Sequence, residues 1–290
     1  MSQPESSADS LMSKRQTHTL NIGGAEVKCH LYGTAHEGQN AIVLLPGIGG
    51  NASMHFSFLL PMLARKRQVM AIDFSNPRTL ENEPLQLDYL IDQASKAIDA
   101  LLPDRSICLI GFSLGAEVAV GLATVHPAPK QLVLIAGWLK SSTSQQLFAT
   151  IWKQLAAAGS QSRARFARLA SFSTTHINGY TISEIDQSTP IKPGRFTDVQ
   201  VELASRIDLT ISAPRIRAQT LVIGCSSDGM VDTEQVKALF GAIPHARYTE
   251  IDSGNAVVLE RPAELLSLIT AFMSDPEQYA SGSILPTATP

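Results

Sequence analysis

A serine flanked by two glycines, in Gly111-Phe112-Ser113-Leu114-Gly115, is the group of this 290-residue sequence best suited to covalent chemistry. A serine hydroxyl can attack a carbonyl carbon when a sharp turn lifts it clear of its neighbours. The G-x-S-x-G pattern makes such a turn between a strand and a helix. Both flanks fit, because the apolar run Ile107–Ile110 ends at Gly111 and an apolar helical run starts at Leu114. Without those flanks the pattern would be no more than small residues capping a helix.

A second stretch, Pro46-Gly47-Ile48-Gly49-Gly50-Asn51, follows the apolar run Ala41–Leu45. Backbone N–H groups in such a loop can face an oxygen that gains charge during acyl transfer, since they hold their aim without reorganising. Alone, the loop reads as a plain glycine-rich turn. Beside a serine elbow, the oxyanion reading is preferred.

The elements that must position these residues show in the hydrophobic pattern. Two alternating runs, THTLNI and AEVKCHLYG around Gly23-Gly24, predict a β-hairpin. Short apolar runs at Ala41–Leu45, Val69–Ile72, Ile107–Ile110, Leu132–Ala136, Thr220–Gly224 and Ala246–Ile251 predict strands. Helices are predicted at Ser53–Arg65, Leu85–Leu102, Leu114–Val125, Thr233–Phe240 and Pro262–Met273, with Pro262 at a first helical position. This βαβα order argues for a parallel sheet with helices on both faces. From Leu139 to about Pro214 the rhythm breaks into a Ser-, Thr-, Gln- and Arg-rich stretch. Helical segments at Gln145–Ala158 and Arg163–Phe172, with no strong strand, mark it as an insertion.

Together these features resemble the α/β-hydrolase superfamily, in its cap-containing serine esterase and lactonase branch. The resemblance covers Thr17 to Met273 and rests on four features in order: oxyanion loop, elbow, acid loop and terminal loop. It implies an α/β fold with a mostly parallel eight-stranded sheet flanked by helices, and a helical cap inserted after strand six. The expected division is a disordered lead over 1–16, core over 17–138, cap over 139–213, core over 214–275 and a flexible tail over 276–290. The pocket is expected between cap and sheet, over Ser113.

The same resemblance implies site roles. Ser113 is the nucleophile, and the N–H groups of Ile48 and Leu114 form the oxyanion hole, with Pro46-Gly47 where the family often has His-Gly. In Leu221-Val-Ile-Gly-Cys-Ser-Ser-Asp228-Gly-Met-Val231, Asp228 fills the acid position, with one extra residue after Gly224. Asp232 is the alternative acid and reads more simply as a helix cap. Asp73, at a strand end where some relatives keep another acid or nucleophile, reads as structural.

The terminal loop Ile251-Asp-Ser-Gly-Asn255-Ala-Val-Val-Leu-Glu260-Arg-Pro262 then departs from the family. Asn255 stands where the catalytic histidine belongs, 27 residues after Asp228. An amide accepts through its oxygen and donates through its NH₂, but takes no proton near neutral pH. Losing a triad base costs roughly 10⁴- to 10⁶-fold.

None of the seven histidines fills the gap by position. His18, His30 and His36 belong to the hairpin or its margins, His126 ends the helix after the elbow, and His245 opens a strand. His55 and His176 are candidates for substrate contact, with a surface or core-edge place as the plainer alternative. Trp138 leaves strand six where the cap begins and is a third substrate-contact candidate, or else packing under the cap. Phe148, Trp152, Phe166 and Phe172 suggest cap core, and Arg163, Arg165 and Arg168 a solvated helix face.

Lys+Arg of 23 against Asp+Glu of 26 leaves a net charge of −3, which gives no electrostatic reason for nucleic acid or an anionic membrane as partner. No apolar run approaches the roughly 18 to 20 residues of a membrane span. Cys29, Cys108 and Cys225 are odd in number and widely spaced, without a CxxC pair, which suggests neither disulfides nor zinc and a cytoplasmic protein. No metal or organic cofactor is implied, and the partner expected is a largely apolar small molecule. Three functions remain open: a serine hydrolase of an ester, lactone or thioester impaired by Asn255, a non-hydrolytic cyclase, lyase or isomerase, and a silent ligand-binding module.

Overall fold

The structure is a computed structural model and describes residues 15–76, 83–157, 160–187 and 191–286. Strands β1 (Gln16–Ile22) and β2 (Ala25–Tyr32) form the hairpin, turning at Gly23 (φ 58°) and Gly24 (φ 79°). Two consecutive positive φ angles give a tight turn whose twist matches its strands, which is why glycines stand there. The other strands are β3 (Ala41–Leu45), β4 (Val69–Asp73), β5 (Ile107–Phe112), β6 (Pro129–Ile135), β7 (Gln219–Cys225) and β8 (Ala246–Ile251). They form one eight-stranded sheet in the order β1-β2-β4-β3-β5-β6-β7-β8, with β2 antiparallel to both its neighbours and every other pairing parallel.

Helices cover both faces. They are α1 (Ala52–His55), α2 (Leu59–Ala64), α3 (Leu87–Leu101) and α4 (Leu114–Val125), then α5 to α9 in the cap, and α10 (Thr233–Ala242), α11 (Val257–Glu260) and α12 (Pro262–Ser274). All five residues of β3 are buried, and their alternation feeds two cores. Ala41, Val43 and Leu45 pack with residues of α3 and α4, while Ile42 and Leu44 pack with residues of α2 and α12. A strand covered on both faces needs apolar residues at every position. Each Leu or Ile so enclosed contributes about 1.5–3 kcal/mol.

The helix expected over Ser53–Arg65 is two helices instead, broken after His55. Pro61 explains the break. It has no N–H for a helical bond to residue 57, so it is accepted in the first turn of α2 but not in the middle of a longer helix. The start of α1 is fixed separately, by Asn51 Oδ1 accepting Met54 N–H and Asp73 Oδ1 accepting Ala52 N–H, both at 2.8 Å.

Between β6 and β7 the cap carries α5 (Thr143–Gln154), α6 (Ser160–Ser171), α7 (Thr174–Asn178), α8 (Ile182–Gln187) and α9 (Arg195–Ala204). Its two connections to the core are joined, with Leu209 N–H to Leu139 O at 2.8 Å and Ser141 N–H to Ile207 O at 2.9 Å. Phe148 stacks on Phe166 at 4.8 Å and on Trp152 at 6.2 Å. Arg163 and Arg168 correct the expectation of a solvated face, while Arg165 stays exposed. Arg163 pairs with Asp198 at 2.6 Å and lies over the Trp152 ring, while Arg165 and the buried Arg168 both bond Asp186. They fasten cap helices to one another.

The lead expected over 1–16 lies, through residue 14, outside the described residues, and β1 begins at Gln16. The tail expected over 276–290 lies, through residue 286, within the described residues. Within its described part, Tyr248 N–H donates to Ser283 O at 3.0 Å and Leu285 N–H to Tyr248 O at 2.7 Å. β8 is an edge strand with unpaired backbone groups, and the tail satisfies some of them. No helix among the described residues is long and apolar enough to cross a membrane.

Candidate active site

From β3 the chain crosses to β4 on one side, and from β5 it crosses to β6 on the other. That reversal opens a crevice beyond the carboxyl ends of β3 and β5, where ligands of open α/β sheets bind. The loop after β3 and the turn after β5 meet there. Ser113 sits at φ 51° and ψ −125°, a backbone conformation that costs a non-glycine residue about 1–3 kcal/mol and persists only where its surroundings impose it. They do so here. Ser113 N–H donates to Ile135 O at 2.8 Å, and the corner admits no extra side chain. A Cβ on Gly47 would stand 3.0 Å from Ser113 Cβ, one on Gly111 would meet Gly115 O, and one on Gly115 would meet Leu45 O.

The Pro46–Asn51 loop is held from two directions. Gly47 N–H donates to His55 Nδ1 at 3.1 Å, and Gly49 N–H donates to Gln200 Oε1 of α9 at 2.9 Å. The amides on either side of Ile48 are thus committed, and Ile48 borders the same cavities as Ser113. Leu114 opens α4, where first-turn N–H groups have no partner within the helix. His55 is buried and meets Phe112 edge-on at 5.1 Å. Because its Nδ1 accepts from Gly47, a neutral ring carries its proton on Nε2, and the lone pair a base would use is occupied.

Asp228 is equally well held. Asp228 Oδ1 accepts Met230 N–H at 2.7 Å and Val231 N–H at 2.9 Å, while Oδ2 accepts Asn255 Nδ2–H at 2.9 Å. Burial pushes the carboxyl up to about 6, against the pull of those three donors. Since the Asn255 NH₂ faces Asp228, its oxygen faces away as an acceptor. Asp232 Oδ1 accepts Gln235 N–H at 2.9 Å and caps α10. Asp73 is bonded to Ala52 N–H and to His30. Behind the elbow, burial drives the enclosed Glu117 carboxyl well above the usual range while its Oε1 accepts Trp138 N–H at 2.8 Å.

Two cavities flank Ser113, each of about 20 Å³, room for about one water. Ile48, Ser113 and Met230 border both. The first also meets His55 and Asn255, and the second meets Trp138 and Phe148. The structure therefore brings Ser113, Ile48, Asn255, His55 and Trp138 together. His176 lines neither cavity, because it is stacked between Phe172 and Tyr180 on α7. His126 bonds Asp99, and His245 is exposed.

Some participants were not foreseen. Glu260 accepts Gly254 N–H at 3.1 Å and Ser173 Oγ–H at 2.6 Å, tying the Asn255 loop to the cap. Met230 separates the two cavities and receives the Ser171 hydroxyl at 3.2 Å. The Glu260 position had a signal, since it lies in the terminal-loop pattern. Gln200 had none, because it reaches Gly49 across 151 residues.

Known proteins give three likenesses. A model described as the alpha/beta hydrolase family matches residues 42–268. The pyrrolizixenacetamide deacetylase of Xenorhabdus hominickii is 28% identical over 270 residues, which cover 88% of this chain and 97% of that protein. The crystal structure of the enol-lactonase from Burkholderia xenovorans LB400 aligns with a TM-score of 0.77 at 20% identity, over 89% of this chain and 100% of that one.

Proposed function

The chain belongs to the alpha/beta hydrolase family, and we propose from that premise that its site receives an acyl compound (an ester, lactone or thioester) at Ser113. In this reading Ser113 Oγ faces the acyl carbonyl, whose oxygen lies between the N–H groups of Ile48 and Leu114. Asn255 holds the serine hydroxyl through its amide oxygen. It takes no proton from it, so hydrolysis by this chain is slow. The observation that carries the proposal is the Asp228–Asn255 bond of 2.9 Å, with Asn255 lining the same cavity as the strained Ser113. The deacetylase likeness supports acyl chemistry and leaves the acyl group open.

A fluorophosphonate tests this directly. Mass spectrometry should find a slow adduct on Ser113, absent from Ser113→Ala and accelerated in Asn255→His. An unmodified Ser113 in both the unaltered chain and Asn255→His would sink the reading. The oriented Asn255 amide also suits a non-hydrolytic cyclase, lyase or isomerase, in which the oxyanion donors polarise a carbonyl and no strong base is needed. Labelling without acceleration in Asn255→His favours that alternative.

A further inference from the structure

The second cavity beside Ser113 is walled by Phe148, Val201, Ala204 and Val231. Its polar groups are few: the Ser113 hydroxyl, the Gln145 amide and the Trp138 indole. Trp138 is 1% exposed, and its indole Nε1–H is buried without a partner among the described residues. Trp152, in the cap, shows the contrast, with its Nε1–H donating to Asp198 Oδ1 at 2.8 Å. Gln145 also lines the cavity. One lone pair of its Oε1 accepts Ser142 N–H at 2.9 Å, and its Nε2–H is a further donor. An apolar cavity that presents N–H donors selects by what leaves them unpaired.

We infer that this cavity takes the acyl arm of the substrate, and that the arm carries a neutral carbonyl-type oxygen that accepts from Trp138 Nε1: a short keto-acyl group. The inference rests on the reading that Ser113 faces the acyl carbonyl. A plain alkyl arm would leave the indole donor unpaired. An arm with an N–H or ammonium would set donor against donor. A carboxylate would lose its water with no lysine or arginine among the residues lining the cavity. A neutral ketone meets none of these penalties. The space is small, and Met230 is the wall that yields: an unbranched thioether that changes rotamer readily and borders both cavities.

The chain has two tryptophans, so ¹⁵N spectra show two indole N–H signals, and Trp152 serves as the internal control. Methyl 4-oxopentanoate and methyl pentanoate, which differ in the keto oxygen, are titrated against the unaltered chain. The keto ester is expected to bind about tenfold more tightly, to shift the Trp138 indole signal and to leave the Trp152 signal in place. Trp138→Phe should lose that preference while still binding the plain ester. Equal affinities, no binding of either ester, an unmoved Trp138 signal, or a preference that survives Trp138→Phe would each overturn the inference. If Trp138→Phe does not fold, the two titrations of the unaltered chain decide alone. Binding is read here without turnover, so a failure of Ser113 to label counts against the acyl reading and leaves these shifts unchanged.

Discussion

With Ser113 as the proposed nucleophile, replacing Asn255 by histidine should raise ester hydrolysis, and its geometry sets the size of the gain. Asn Nδ2 and His Nδ1 are both one bond from Cγ. The ring N–H therefore falls where Asn255 now donates to Asp228 at 2.9 Å, and Nε2 projects on the cavity side that Ser113 shares. A triad base is worth roughly 10⁴- to 10⁶-fold. Against this, the ring adds bulk beside a cavity of about 20 Å³, and overpacking costs about 1–3 kcal/mol, or about one to two decades of rate. The net expectation is a rise of about 10²- to 10⁵-fold in kcat/KM for p-nitrophenyl acetate. The assay compares the unaltered chain, Asn255→His, and Asn255→His combined with Ser113→Ala. A folded Asn255→His variant that gains less than about tenfold refutes the reasoning. So does a gain that persists without Ser113.

Other outcomes bear on the supports of the site. Asp228 ordinarily titrates near 3.8 and is raised to about 6 in the fold, so its proton is held more tightly in the folded chain. Its contribution to stability is full below pH 3.8 and is lost as the pH rises through 6. It amounts to on the order of 2 kcal/mol after allowance for partial exposure. Urea midpoints should therefore fall less between pH 4 and 7.5 in Asp228→Asn than in the unaltered chain; a parallel fall in both would contradict the assignment. Burial holds the Glu117 carboxyl well above its usual range, which favours the protonated form, so Glu117→Gln should change stability by less than about 1 kcal/mol, while Glu117→Ala costs about 2–4 kcal/mol by leaving Trp138 N–H unpaired in a cavity. Denaturant titration separates them, and a large effect of the glutamine variant would show Glu117 ionised. Gly115→Ala sets a methyl against the Leu45 carbonyl and should lower the unfolding free energy by more than about 3 kcal/mol; a near-native denaturation midpoint would mean that the elbow yields easily.

The succession of strands and helices along the core and the sharp turn at Ser113 were legible because each rests on a local pattern: an apolar run, a turn residue and a helical period. The break between α1 and α2 was also written locally, in Pro61, but the apolar spacing on either side masked it. The cap was less legible. Arg163 and Arg168 look like a solvated face until the fold brings up Asp198 and Asp186, 35 and 18 residues away. His176 looked free to meet a substrate until Phe172 and Tyr180 enclosed its ring. The docking of the tail on β8 depends on which strand ends at the sheet edge, a matter of topology rather than of residues 282–285 themselves.

Asp228 is held by the amides of Met230 and Val231 whether or not its third partner is a base. The shape of that loop is therefore independent of the chemistry at position 255. Histidine and asparagine codons differ by one base. A lineage carrying this scaffold could move between a reactive and a quiescent form in a single mutational step, without first passing through a chain that fails to fold.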